Sequence, residues 1–181
     1  MVSVATPPNI GPGDLVFCYG KGAVAWGIRM AERFRRDWRN ASEARGDKFD
    51  HVAIVEAPLP DGDWTLIQAL GSGVVADAPG KPSRLSHYDR YSVVACPGDR
   101  SRTVAFARAQ IGRPYGFVTI ASILVTLLTP YFINVMLPET WICSALAGES
   151  IRFGAWLHSW PDIYQVSPAQ LWCGLEAATA P

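Results

Sequence analysis

A few side chains in this 181-residue chain combine reactive chemistry with a position suited to it. Cys143 stands in Trp141-Ile142-Cys143-Ser144-Ala145-Leu146, in the first turn of a predicted helix. Helix-start amides and the helix dipole favour an anion there and lower a thiol's pKa. The same N–H groups are suited to holding an oxyanion. Those are the requirements of a thiol nucleophile, although a buried structural cysteine fits the same position. A thiol nucleophile needs a base, and the chain has three histidines, His51, His87 and His158. His51 opens the segment His-Val-Ala-Ile-Val-Glu-Ala, where an imidazole can point into a groove between sheet and helix. His87 lies in the loop-like stretch Leu85-Ser86-His87-Tyr88-Asp89. His158 sits at the end of a predicted helix, where a cation is favourable for stability alone. Gln68 is a polar residue flanked by Leu66, Ile67, Ala69 and Leu70. Either it faces water, or its amide oxygen orients an imidazole on the neighbouring strand, the third group that thiol hydrolases use to fix the tautomer.

The elements that must position these residues follow from pattern. A short apolar run at 14–17 follows a Gly-Pro-Gly turn and predicts a strand. Apolar residues at helical spacing (Val24, Trp26, Ile28, Met30, Phe34 and Trp38) predict a helix over 22–45. Segments 51–57, 64–70, 73–76 and 91–96 predict strands. With turns and no helix between them, they predict an antiparallel sheet. Residues 102–111 predict a helix that stops at Gly112 and Pro114. Thr140 is positioned to cap a helix running from Trp141 to about His158. Ser167-Pro168-Ala169-Gln170 opens a last helix. Strands first and helices second predict one α+β domain over 1–181, with the sheet packed against the helix that carries Cys143.

Composition narrows the function. Sixteen basic residues balance sixteen acidic ones, so no electrostatic case exists for nucleic acid as a partner. The four cysteines (Cys18, Cys96, Cys143 and Cys173) form no C-x-x-C pair and have no histidine at ligand spacing, which argues against a metal site. No disulfide framework is evident, which favours a reducing compartment. The first fourteen residues lack a basic cluster and an apolar run and do not read as a signal peptide, so the expected setting is cytoplasmic or assembly-associated.

Several blocks together resemble a known family. The chain has Gly112-Arg113-Pro114-Tyr115 and then Cys143-Ser144-Ala145-Leu146. Earlier come Gly13-Asp14-Leu15-Val16-Phe17, His51-Val52-Ala53-Ile54-Val55, Gln68-Ala69 and Gly73-Val74. These resemble the nucleophile and histidine blocks of NlpC-type cell-wall peptidases. The histidine block comes first, as in the circularly permuted branch that also contains the lecithin:retinol acyltransferase-like enzymes. The resemblance covers roughly residues 11–158. It implies a circularly permuted papain-like fold, with Cys143 as nucleophile, His51 as base, Gln68 as the third polar group and Tyr115 near the oxyanion site. Relatives often carry His, Glu or Asn where Gln68 stands. Gln can orient an imidazole but cannot stabilise imidazolium as a carboxylate would. The reaction implied is cleavage of amide bonds, in cell-wall peptides or alternatively in lipid or acyl-amide substrates, through an acyl-enzyme and with no cofactor. A catalytically weak module in a larger assembly is the third possibility.

Residues 114–138 contain no charged side chain, an apolar insertion at about 116–138. The count would span a bilayer. A single span would, however, put His51 and Cys143 on opposite sides of it. The segment is therefore expected to be a folded-back hairpin, a buried helix or an interfacial patch, with residues 117–137 available for membrane or protein contact.

Overall fold

The computed structural model describes residues 10–19, 49–76, 83–88, 90–129, 135, 137–156, 164 and 166–179. The chain is a mixed α+β structure. Its antiparallel sheet is built from β1 (Leu15–Cys18), β2 (His51–Pro58), β3 (Trp64–Leu70), β4 (Gly73–Val75) and β5 (Tyr91–Val94), in the order β4-β3-β2-β1-β5. The four predicted strands from residue 51 onward form where their alternating or β-branched residues predict them. The first strand falls one residue later than expected, and the last ends at Val94 rather than residue 96. The helix expected over 22–45 lies outside the described residues.

Two apolar clusters take opposite faces of the sheet, as the period of two requires. Leu15, Phe17, Val52, Ile54, Ile67 and Ala69 pack into the larger cluster with the helices. Val16, Cys18, Ala53, Val55 and Leu66 face the smaller one, which Leu85 and Val93 complete. Asp14, fully buried, ties the entry of β1 in place. Its carboxylate accepts from the amides of Gly11 and Cys96, both at 2.8 Å, and pairs with Arg100 at 2.7 Å.

Four α-helices are seen among the described residues: α1 (Arg100–Ala109), α2 (Phe117–Leu128), α3 (Cys143–Phe153) and α4 (Pro168–Thr179). The first begins two residues earlier than expected because Asp99 caps it, accepting from the Arg102 amide at 3.0 Å. α4 starts on a reciprocal cap between Ser167 and Gln170, with Pro168 in the first helical position. The expectation for α3 needs correction. Its N-cap is Ile142 and makes no side-chain cap bond. Thr140 does not cap it, because its hydroxyl donates to the Leu137 carbonyl at 2.9 Å. The helix begins at Cys143 and ends at Phe153, well short of residue 158.

Within the uncharged segment, Phe117–Leu128 form α2. At 1.5 Å per residue its 12 residues reach about 18 Å, against a hydrocarbon core of about 30 Å. No described helix is long and apolar enough to cross a membrane. Ile120 and Ile123 are buried in the larger cluster, while Phe117 (58% exposed), Val118, Val125, Val135 and Leu137 face outward. The hydroxyl of Ser122 reaches the Val135 carbonyl at 3.4 Å, which marks the fold-back.

Candidate functional site

The site is assembled by contacts between segments far apart in sequence. α3 packs across β2 and β3 with Cys143 as its first residue, 4% exposed. Helix geometry leaves the first-turn amides without acceptors inside the helix. The segment just before α3 is sewn to the one carrying Tyr115. The Trp141 amide donates to the Pro114 carbonyl and the Gly116 amide to the Trp141 carbonyl, both at 3.0 Å. These bonds form a parallel bridge between Tyr115 and Trp141. Tyr115 is thereby held close to the start of the helix, and its ionisation is opposed first by burial and then by neighbouring Cys143. The phenol therefore stays protonated far above neutral pH, as a donor.

β4 seats the same turn from the other side. The Val74 amide donates to the Arg113 carbonyl at 2.8 Å, and the Gly112 amide to the Val74 carbonyl at 2.9 Å. The blocks 73–74, 112–115 and 141–143 thus meet through main-chain bonds, which their sequence separation alone does not reveal.

His51 and Gln68 lie on neighbouring strands and share a face by parity, that of Cys18, Ala53 and Leu66, not the face on which α3 and the larger cluster pack, so the expected placing of His51 between sheet and helix is not what the register gives. Gln68 is 4% exposed, so it does not face water. Its Oε1 lies 2.7 Å from Nε2 of His51. An amide oxygen only accepts, so Nε2 carries the proton and Nδ1 is the basic nitrogen. Burial lowers the His51 pKa from its usual value, and the bond to Gln68 partly opposes that shift. The imidazole is therefore neutral at neutral pH.

Cys143 acts electrostatically on two neighbours of this pair. Cys18 is the ladder partner of His51, and the ring of Tyr88 stacks beside the imidazole with centroids 6.2 Å apart. Cys143 bears electrostatically on both. It adds to the burial that raises the Cys18 thiol well above its ordinary value, and it adds, with Cys18, to the burial that raises the Tyr88 phenol. Burial therefore holds Cys18 itself as a neutral thiol.

The structure thus joins His51 to Gln68 through a hydrogen bond and sets Tyr115 beside Cys143 at the start of α3. The other two histidines are not part of these contacts as described: His87 is exposed on a short 3-10 turn, and His158 lies outside the described residues. Two residues of this neighbourhood are unmarked in the sequence. The Tyr88 hydroxyl donates to Gln68 Oε1 at 2.6 Å, and the Gln68 amide nitrogen donates to the Ser83 hydroxyl. Tyr88 lies beside His87 in a stretch of loop character, and no local pattern distinguishes Ser83. Among the described residues no group of three or more His, Cys, Asp or Glu side chains is arranged to hold a metal ion. Comparison of the chain with protein-family models, curated proteins and solved structures finds no match to any of them.

Proposed function

We propose that the chain is a thiol hydrolase of circularly permuted papain-like build that cleaves amide bonds, with peptides of the cell wall as the leading substrate class. The observation that carries this reading is the His51–Gln68 bond, which leaves Nδ1 of a neutral imidazole free to serve as a base, and the reading assigns it to the helix-start Cys143. Nδ1 of His51 accepts the Cys143 proton. The thiolate attacks the substrate carbonyl carbon, and the resulting oxyanion receives hydrogen bonds from helix-start amides and the Tyr115 hydroxyl. The C–N bond then breaks as the imidazolium returns its proton to the leaving amine, giving a thioester. Water, deprotonated by His51, attacks the thioester carbonyl and regenerates the thiol.

Acyl-amide or lipid substrates form a second reading, favoured by one contact. The exposed Phe117 packs its ring edge-on against Tyr115 at 4.9 Å, so the apolar surface of α2 is continuous with the site.

The test is the rate of Cys143 alkylation by iodoacetamide from pH 5 to 9, in wild type and His51→Ala, with the modified peptide identified by mass. Reaction well below the ordinary thiol pKa of about 8.5, lost in the variant, supports the pair. Behaviour as an ordinary thiol in both proteins removes the hydrolase reading and leaves the fold as a scaffold.

A further inference from the structure

A glutamine is an ambiguous partner for an imidazole. Turned by 180°, it presents an NH₂ in place of an oxygen, and the histidine answers by exchanging its tautomer. The proton would then sit on Nδ1, and the base would be lost. Something must hold the Gln68 amide in the productive orientation. We infer that Tyr88 and Ser83 are positioning residues that clamp the Gln68 amide from both ends and so set the tautomer of His51.

A phenol oxygen donates better than it accepts, because its lone pair is delocalised into the ring. Tyr88 at 2.6 Å therefore favours an oxygen at the end of Gln68 that also meets His51. Ser83, 6% exposed, accepts from the other end. Burial keeps the Tyr88 phenol protonated and able to donate.

The segment that supplies both hydroxyls is itself tied down. The Ser83 carbonyl accepts from the Leu66 amide at 2.7 Å, and Arg84 bridges to Thr65. The Arg84 guanidinium pairs with Asp61 at 2.6 Å, and the Ser86 amide and hydroxyl donate to Asp63 at 3.2 and 2.6 Å. These anchors run from the β2–β3 turn and β3, so the clamp moves with the strand that carries Gln68. It is not a free loop.

The inference gives His51 its role as base from the proposed function, but its test does not depend on activity. ¹⁵N-histidine NMR of the full chain reads the tautomer directly, with the His51 signals assigned by their loss in His51→Asn. Wild type is expected to show a protonated Nε2 and an unprotonated Nδ1. Tyr88→Phe keeps the stacked ring and removes only the hydroxyl. It should shift the tautomer ratio about fivefold toward Nδ1–H, the worth of one ordinary hydrogen bond. Ser83→Ala should move it the same way, and it stands in should Tyr88→Phe fail to fold. Gln68→Glu added to either variant should restore Nε2–H, because a carboxylate only accepts. Wild-type shifts in both single variants, a wild-type protein already in the Nδ1–H form, or failure of the Gln68→Glu rescue would each overturn the inference. Cys143 alkylation in the same samples reports separately on the hydrolase reading.

Discussion

Gly73 is where the fold of this site is most easily broken without touching a reactive atom. Its φ is +111°, a region that side chains rarely adopt, and a Cβ built there would lie 2.7 Å from the Arg113 carbonyl oxygen. That oxygen accepts the Val74 amide, and the turn that follows carries Tyr115. Gly62 supplies the internal control, because its φ is +83° and nothing lies within 4 Å of the place a Cβ would take. Gly62→Ala therefore incurs backbone strain of about 1–2 kcal/mol, offset by about 0.5 kcal/mol from the restricted unfolded chain. Gly73→Ala incurs the same and must also push two backbones apart, about 1–3 kcal/mol more. At about 2–4 °C per kcal/mol for a chain of this length, Gly73→Ala should melt roughly 2–12 °C below Gly62→Ala. Thermal unfolding followed by circular dichroism measures the difference. Cys143 alkylation should be altered in Gly73→Ala and unchanged in Gly62→Ala. Equal melting temperatures would refute the close seating of β4 on residues 112–113, and with it the account of how Tyr115 is positioned.

Two further outcomes are expected. Tyr115→Phe should slow hydrolysis of an activated ester by roughly a hundredfold to a thousandfold, the loss of one oxyanion donor, while iodoacetamide alkylation of Cys143, which forms no oxyanion, stays within about twofold of wild type; equal loss in both assays would mean that Tyr115 supports the thiol and not the oxyanion. Because burial depresses the His51 imidazole in the folded state, the unfolded chain binds more protons as pH falls through the ordinary histidine range near 6.5. The stability present above that range should decline as pH drops toward the folded pKa, and urea unfolding at pH 7 and pH 5 should show a smaller decline in His51→Asn. Asp63 does not confuse the window. Burial opposes its carboxylate, but hydrogen bonds from Ser86 and Trp64 and the charge of Arg84 outweigh that and lower its pKa from 3.8, so its contribution is lost only at more acidic pH.

Much of this architecture is legible residue by residue because the physics is local. The Ser167–Gln170 cap with Pro168 between its ends, the apolar runs of β2 and β3, and the end of α1 at Ala109, two residues before the expected 111, all depend on neighbours a few positions away. The choice of Cys143, His51, Gln68 and Tyr115 as a set was legible only as a pattern of blocks; the structure joins His51 to Gln68 and the turn of Tyr115 to the start of α3. Tertiary contacts decided the rest. Thr140 has the right chemistry for a cap, but the 137–140 turn takes its hydroxyl, so α3 starts on Cys143 itself. A glutamine between apolar neighbours reads equally well as solvated or buried, and only the covering segment with Ser83 and Tyr88 settles that Gln68 is enclosed. The uncharged stretch has a bilayer's length in residues, yet its reach is set by where the helix ends, at Leu128, and by the bond that turns residue 135 back onto Ser122. Sequence by itself determined which side chains have the chemistry for such a site and where the described strands lie to within a residue or two, because those properties reside in single residues and short periods. Orientation of the Gln68 amide, the tautomer of His51 and the seating of Tyr115 beside Cys143 were decided by the tertiary structure, because each depends on partners that the chain supplies from tens of residues away.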